Sequence, residues 1–156
     1  MSFRRRRVVL DRLQVAYLAG LMDAAGTIEC YRKPGPKSKS PTFHLGISFT
    51  LTTSEPLQTV GRWLGCEIKR YAWRKTPDIS HYRLRVPRAI AVDVLTECLP
   101  LLIRKRQRVE IVLAIEHLRS KYSPDRRHVG QPFLGRLPLR AVARMQGLHS
   151  KLLALG

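Results

Sequence analysis

The sequence predicts an α+β domain in the order αββαββα, a four-stranded antiparallel sheet with helices on one face and the other face free for a partner. Three observations predict it. A proline-free helical run from Leu13 to Met22 gives way at Gly26 to residues alternating with period two. Helix-strand-strand is then written a second time, without repetition of the residues themselves. Finally, 29 Lys plus Arg stand against 11 Asp plus Glu, a formal net charge of +18 on 156 residues. Such an excess on a small domain points to a polyanionic partner.

The elements follow in order. Arg4-Arg5-Arg6-Arg7 makes residues 1–7 a basic arm. Asp11 can cap the first helix, with Gln14 completing a capping box. Leu13, Ala16, Tyr17, Gly20, Leu21 and Ala24 share one helical face, and Gly26 supplies a C-terminal stop. The strand Thr27 to Lys33 puts Glu29, Tyr31 and Lys33 on one side. A Pro/Gly/Ser loop carrying Lys37 and Lys39 leads to the strand Phe43 to Thr52, where Leu45, Ile47, Phe49 and Leu51 oppose His44, Gly46, Ser48, Thr50 and Thr52.

Ser54 caps the second helix, Pro56 lies in its first turn, Leu57, Val60 and Leu64 form its stripe, and Gly65 ends it. Ile68 to Lys75 and Ser80 to Val86 form a second hairpin across Thr76-Pro77-Asp78, with Arg70, Arg74, His81, Arg83 and Arg85 as its basic set. The rest is helical: Pro87 to Leu99, then about Lys105 to Lys121, an irregular loop over 126–138, and an amphipathic helix over 139–155. The whole chain reads as one domain, 1–156.

No long apolar run or secretion signal appears, so a membrane is not the expected partner. Three widely spaced cysteines (Cys30, Cys66, Cys98) form no metal or disulfide pattern, which suits a reducing intracellular setting: cytoplasm or nucleoid, or an organelle or nucleus in a eukaryote. The free sheet face then reads as a surface for double-stranded DNA, because a two-stranded ribbon fits the major groove. RNA modules cluster stacking aromatics on the sheet, whereas the 7% aromatics here are spread out.

Leu18-Ala19-Gly20-Leu21-Met22-Asp23-Ala24-Ala25-Gly26 resembles the signature of the LAGLIDADG homing endonucleases. It occurs once, as in the branch whose members act as homodimers. The resemblance runs over roughly residues 8 to 125. It implies a homodimer packed through the motif helix at Ala16, Ala19 and Gly20, and a pseudo-palindromic DNA target. It also implies Mg²⁺-dependent, site-specific double-strand cleavage in intron or intein homing. Lys105 matches the family lysine near the scissile phosphate, and Thr53 a position where relatives often place a water-holding Gln. The DNA-binding set expected from the free face and its flanking loops is Glu29, Tyr31, Lys33, Lys37, Lys39, His44, Ser48, Thr50, Arg70, Arg74, His81, Arg83 and Arg85.

One position departs from the signature. The family acid that binds the catalytic metal falls at Ala25, whose methyl group cannot coordinate. The Ala24 carbonyl is one remaining oxygen, and Asp23 is the nearest substitute acid, better suited by its place on the helix to backbone or dimer contacts. Mg²⁺ binding is thus expected to be weakened or lost. Two readings follow: an endonuclease whose acid has been replaced, binding without efficient cutting, or a natural non-cleaving DNA- or RNA-binding descendant such as an intron maturase or regulator.

Overall fold

The computed structural model describes residues 8–34, 41–73, 76–122 and 138–155. Its elements run α1 (Arg12–Ala25), β1 (Gly26–Lys33), β2 (Thr42–Leu51), α2 (Glu55–Leu64), β3 (Ile68–Trp73), β4 (Thr76–Val86), α3 (Arg88–Cys98), a 3₁₀ turn (Leu99–Leu101), α4 (Arg106–Tyr122) and α5 (Leu139–Ala154). The expected αββαββα order is therefore present, with two more helices after it. The basic arm 1–7, Lys37, Lys39, Arg74 and most of the 126–138 loop lie outside the described residues.

The capping box forms as expected: the Gln14 N–H donates to Asp11 Oδ1 at 2.8 Å and the Asp11 N–H to Gln14 Oε1 at 3.0 Å. Gly26 ends α1 for a different reason from a left-handed cap. Its backbone is extended (φ −74°, ψ 138°), but a Cβ there would stand 2.8 Å from Met22 Cα and 2.9 Å from Met22 O. Close approach, not φ, demands the glycine. Gly65, at φ 62°, is the true left-handed cap, ending α2. Ser54 precedes α2 without a side-chain cap bond to the backbone; its hydroxyl accepts from Gln58 Nε2.

The sheet is antiparallel in the order β1-β2-β4-β3. β4 begins at Thr76, so Thr76-Pro77-Asp78 belongs to the strand rather than to the turn. Ile28, Cys30, Phe43, Leu45, Ile47, Phe49, Leu84 and Val86 point to the helices and join Leu18, Met22, Leu57, Val60, Leu95 and Val109 in one core. Across that core, α5 reaches β1 through His149 Nε2, 3.0 Å from the Cys30 carbonyl oxygen. The three cysteines are free thiols. Burial pushes Cys30 up to about 11 and Cys98 up to about 12, so neither is a nucleophile at neutral pH.

Candidate nucleic-acid interface

Strand register decides which side chains share the face that the core does not use. Tyr31 lies opposite His44, Glu29 opposite Gly46, Ser48 opposite Arg85, and Thr50 opposite Arg83. With Lys33 and His81 these residues fall on one side, as alternation predicts. Arg70 does not. It pairs with Tyr82, on the core side, and its guanidinium holds the Ser80 hydroxyl at 2.7 and 3.1 Å. The residues of β3 on the free face are instead Lys69, opposite Arg83, and Tyr71, opposite His81. The signal was present in Ile68: an apolar residue paired with buried Leu84 puts every even position of β3 with the helices.

The face is not a uniform basic surface. At its centre Arg83 Nη2 lies 3.0 Å from Glu29 Oε1 and 3.2 Å from Ser48 Oγ, and the Ser48 hydroxyl also reaches Glu29 at 3.3 Å. Ser48 is only 2% exposed, so its hydroxyl serves this cluster and is not offered outward. Each hairpin carries a cross-strand Tyr–His stack, Tyr31 on His44 at 5.1 Å and Tyr71 on His81 at 5.9 Å. Burial, with Lys33 and Arg88 nearby, holds the His44 imidazole below its usual value, so it stacks as a neutral ring at pH 7. The aromatics are therefore less scattered in the fold than along the chain.

The second half of the site is the end of α1. Asp23 accepts three backbone N–H groups from the turn before α4: Ile103 at 2.7 Å, Lys105 at 3.0 Å and Arg104 at 3.2 Å. Burial pushes its carboxyl up, but the three N–H donors and Lys105 outweigh that and hold it below 3.8. In return the Lys105 ammonium donates to the carbonyl oxygens of Met22 and Gly26, both at 2.6 Å. The Met22 carbonyl also accepts the Gly26 N–H, and an ammonium on carbonyl oxygens at a helix C-terminus answers the helix dipole. The turn and the helix end are thus clamped twice, anion to N–H and cation to C=O. Ala25 is the last helical residue beside this clamp, while Thr53 is exposed in the link from β2 to α2.

The third feature is the outer face of α1. Leu13 is 83% and Tyr17 43% exposed; Ala16, Gly20 and Ala24 are also exposed. A Cβ on Gly20 would meet nothing within 4 Å in the protomer. Ala19, expected in the same seam, is 2% exposed and packs inside the protomer's own core. The helix turns it into the core, about 100° round from Gly20, so it is not available to a second chain.

No protein-family model and no curated protein matches the sequence. Solved structures do match. The homing endonuclease I-CvuI, in complex with the I-CreI target, superposes with a TM-score of 0.60 at 19% identity, over 93% of this chain and 83% of that one. The archaeal intron-encoded homing endonuclease I-Vdi141I, complexed with DNA, gives 0.66 at 15% identity over 92% and 84%. The I-LtrWI LAGLIDADG homing endonuclease, bound to target DNA, gives 0.63 at 13% identity, with 88% of this chain on 43% of that one. The fold is that of the LAGLIDADG homing endonucleases.

On that fold the donors at the end of α1 do not suit a magnesium ion. Mg²⁺ demands hard oxygens in near-octahedral array. Residue 25 offers a methyl group, both Asp23 oxygens are engaged by N–H donors, and the Met22 and Gly26 carbonyls hold an ammonium. The Ala24 carbonyl is a single neutral oxygen. Among the described residues, no group of three or more His, Cys, Asp or Glu could hold a metal. Asp23, considered as a substitute ligand, is a structural anchor.

Proposed function

We propose that this chain is a sequence-specific double-stranded DNA-binding protein, built as a homing endonuclease and acting as a homodimer on a pseudo-palindromic target, that binds without efficient cutting. The observation that carries the reading is the free sheet face, where Lys33, Arg85, Arg83 and Lys69 stand beside Tyr31, His44, Thr50 and Tyr71 across four strands. Arginine and lysine on such a ribbon can read guanine in the major groove, while the stacked Tyr–His pairs offer apolar surface to thymine methyls. Lys37 and Lys39, outside the described residues, are the lysines we assign to phosphates. The +18 charge supplies the non-specific attraction.

The exposed apolar face of α1 supports the homodimer. Small residues at Ala16 and Gly20 let two such helices approach closely, and Leu13 and Tyr17 supply apolar area that water otherwise covers. Two copies related by a two-fold axis would read two half-sites in inverted order. Ala25 removes the oxygen donor on which the cleaving members' Mg²⁺ chemistry depends. Lys105 in this reading fixes the helix end rather than touching a phosphate. The alternative, a natural maturase or regulator on the same scaffold, shares every one of these binding features. The test of the function is selection from a randomised duplex library followed by footprinting. A two-fold symmetric protected site is expected; equal retention of all sequences would refute it.

A further inference from the structure

Arg83 is the side chain best placed to read a base, being central on the free face and 43% exposed, yet its guanidinium is already engaged within the protein. Glu29 reaches it from β1 across the intervening β2, over Gly46 and Ser48. The Glu29 side chain lies over Gly46, where a Cβ would make an ordinary van der Waals contact with its Oε2 at 3.5 Å. The contacts are made by one terminal nitrogen, Nη2. The guanidinium is thereby held in place while Nε and Nη1 carry no bond of this cluster, so each can still donate to a guanine acceptor. The Glu29 side chain is itself 27% exposed on this face. A carboxylate there repels phosphate.

We propose that Glu29 is a specificity-determining residue: it locks Arg83 into one reading orientation and, with it, selects a G·C pair at one position of each half-site. The inference rests on the reading of this face as a duplex-DNA surface. It assigns Glu29 two effects. An unlocked arginine is long and flexible enough to turn to a backbone phosphate, which every sequence offers. A lost carboxylate also removes repulsion from phosphates. Both raise affinity for arbitrary DNA while lowering discrimination.

The test compares the full-length chain with Glu29→Gln, Glu29→Ala, Arg83→Ala and the Glu29→Gln/Arg83→Ala double variant, using a randomised duplex library and an unrelated duplex titrated with salt. Glu29→Gln is isosteric on a partly exposed strand, and a thermal melt verifies its fold. Its preference for G·C at one position per half-site should fall roughly tenfold or more. Affinity for the unrelated duplex should rise, with the salt slope steeper by about one. In the Arg83→Ala background the Glu29→Gln change should no longer alter that preference, which a merely structural role for Glu29 would not produce. A selective wild-type chain whose base profile and salt slope are unchanged by Glu29→Gln overturns the inference alone. A wild-type chain that selects no duplex sequence overturns the functional reading and this inference with it.

Discussion

Replacing Asp23 by alanine removes the anion that holds the turn before α4 onto the end of α1, and three N–H groups lose their acceptor at once. A net hydrogen bond to a charged group is worth about 1.5–3 kcal/mol. The bonds from Ile103 and Lys105, at 2.7 and 3.0 Å, are well made, whereas that from Arg104 at 3.2 Å is marginal. Asp23 is partly open to water, which can replace part of what is lost. Two good bonds discounted by about half for solvent give about 1.5–3 kcal/mol, or a fall in Tm of roughly 3–12 °C for a domain of this size. Asp23→Asn keeps one carbonyl acceptor without the charge and should lose about half as much. Because the folded carboxyl titrates below 3.8, its contribution is fully present above that pH and is lost as pH falls through the lower folded value. The gap between wild type and Asp23→Asn should therefore close in strong acid. Melts at fixed protein concentration across pH check this. An Asp23→Ala protein melting within a degree of wild type at pH 7 would refute the clamp.

Two further outcomes follow from the outer face of α1 and from the charge. A Cβ on the exposed Gly20 meets nothing within 4 Å, so the folded monomer of Gly20→Leu should persist while sedimentation shows the dimer weakened; an unchanged dimer would place the interface elsewhere. Affinity for the cognate duplex should fall by several decades between ~50 and ~200 mM salt if a dimer makes on the order of ten phosphate contacts, and a flat response would exclude an electrostatic interface.

Much of this architecture is legible in the residues because local signals and tertiary packing agree. Asp11 and Gln14 mark the helix start, and alternation through β2 separates Phe43, Leu45, Ile47 and Phe49 from His44, Ser48 and Thr50. Local pattern fails to decide where the chain carries two equally good alternatives. In β3, Lys69 and Arg70 are both basic, and only the pairing of Ile68 with Leu84 decides which faces out. On α1, Ala16, Ala19 and Gly20 are all small, but the helix turns Ala19 into the core. The partnership of Asp23 and Lys105, 82 positions apart, has no local signature. The same holds for Glu29 and Arg83, 54 apart, which only the order of the strands brings together.

The central claim, duplex recognition separated from cutting by the residue at position 25, is tested most directly by Ala25→Asp. The substitution adds one carboxylate per chain at the end of α1, two across a dimer axis, and leaves the sheet face, Asp23 and Lys105 untouched. The measurement is a plasmid carrying the selected site, incubated with each protein in Mg²⁺ and in EDTA. The chain as it stands is expected to protect the site and leave the plasmid intact under both conditions, and Ala25→Asp to linearise it only with Mg²⁺. Cleavage by the Ala25 protein itself would contradict the account. An Ala25→Asp protein that binds tightly and never cuts would favour the maturase or regulator over the endonuclease scaffold.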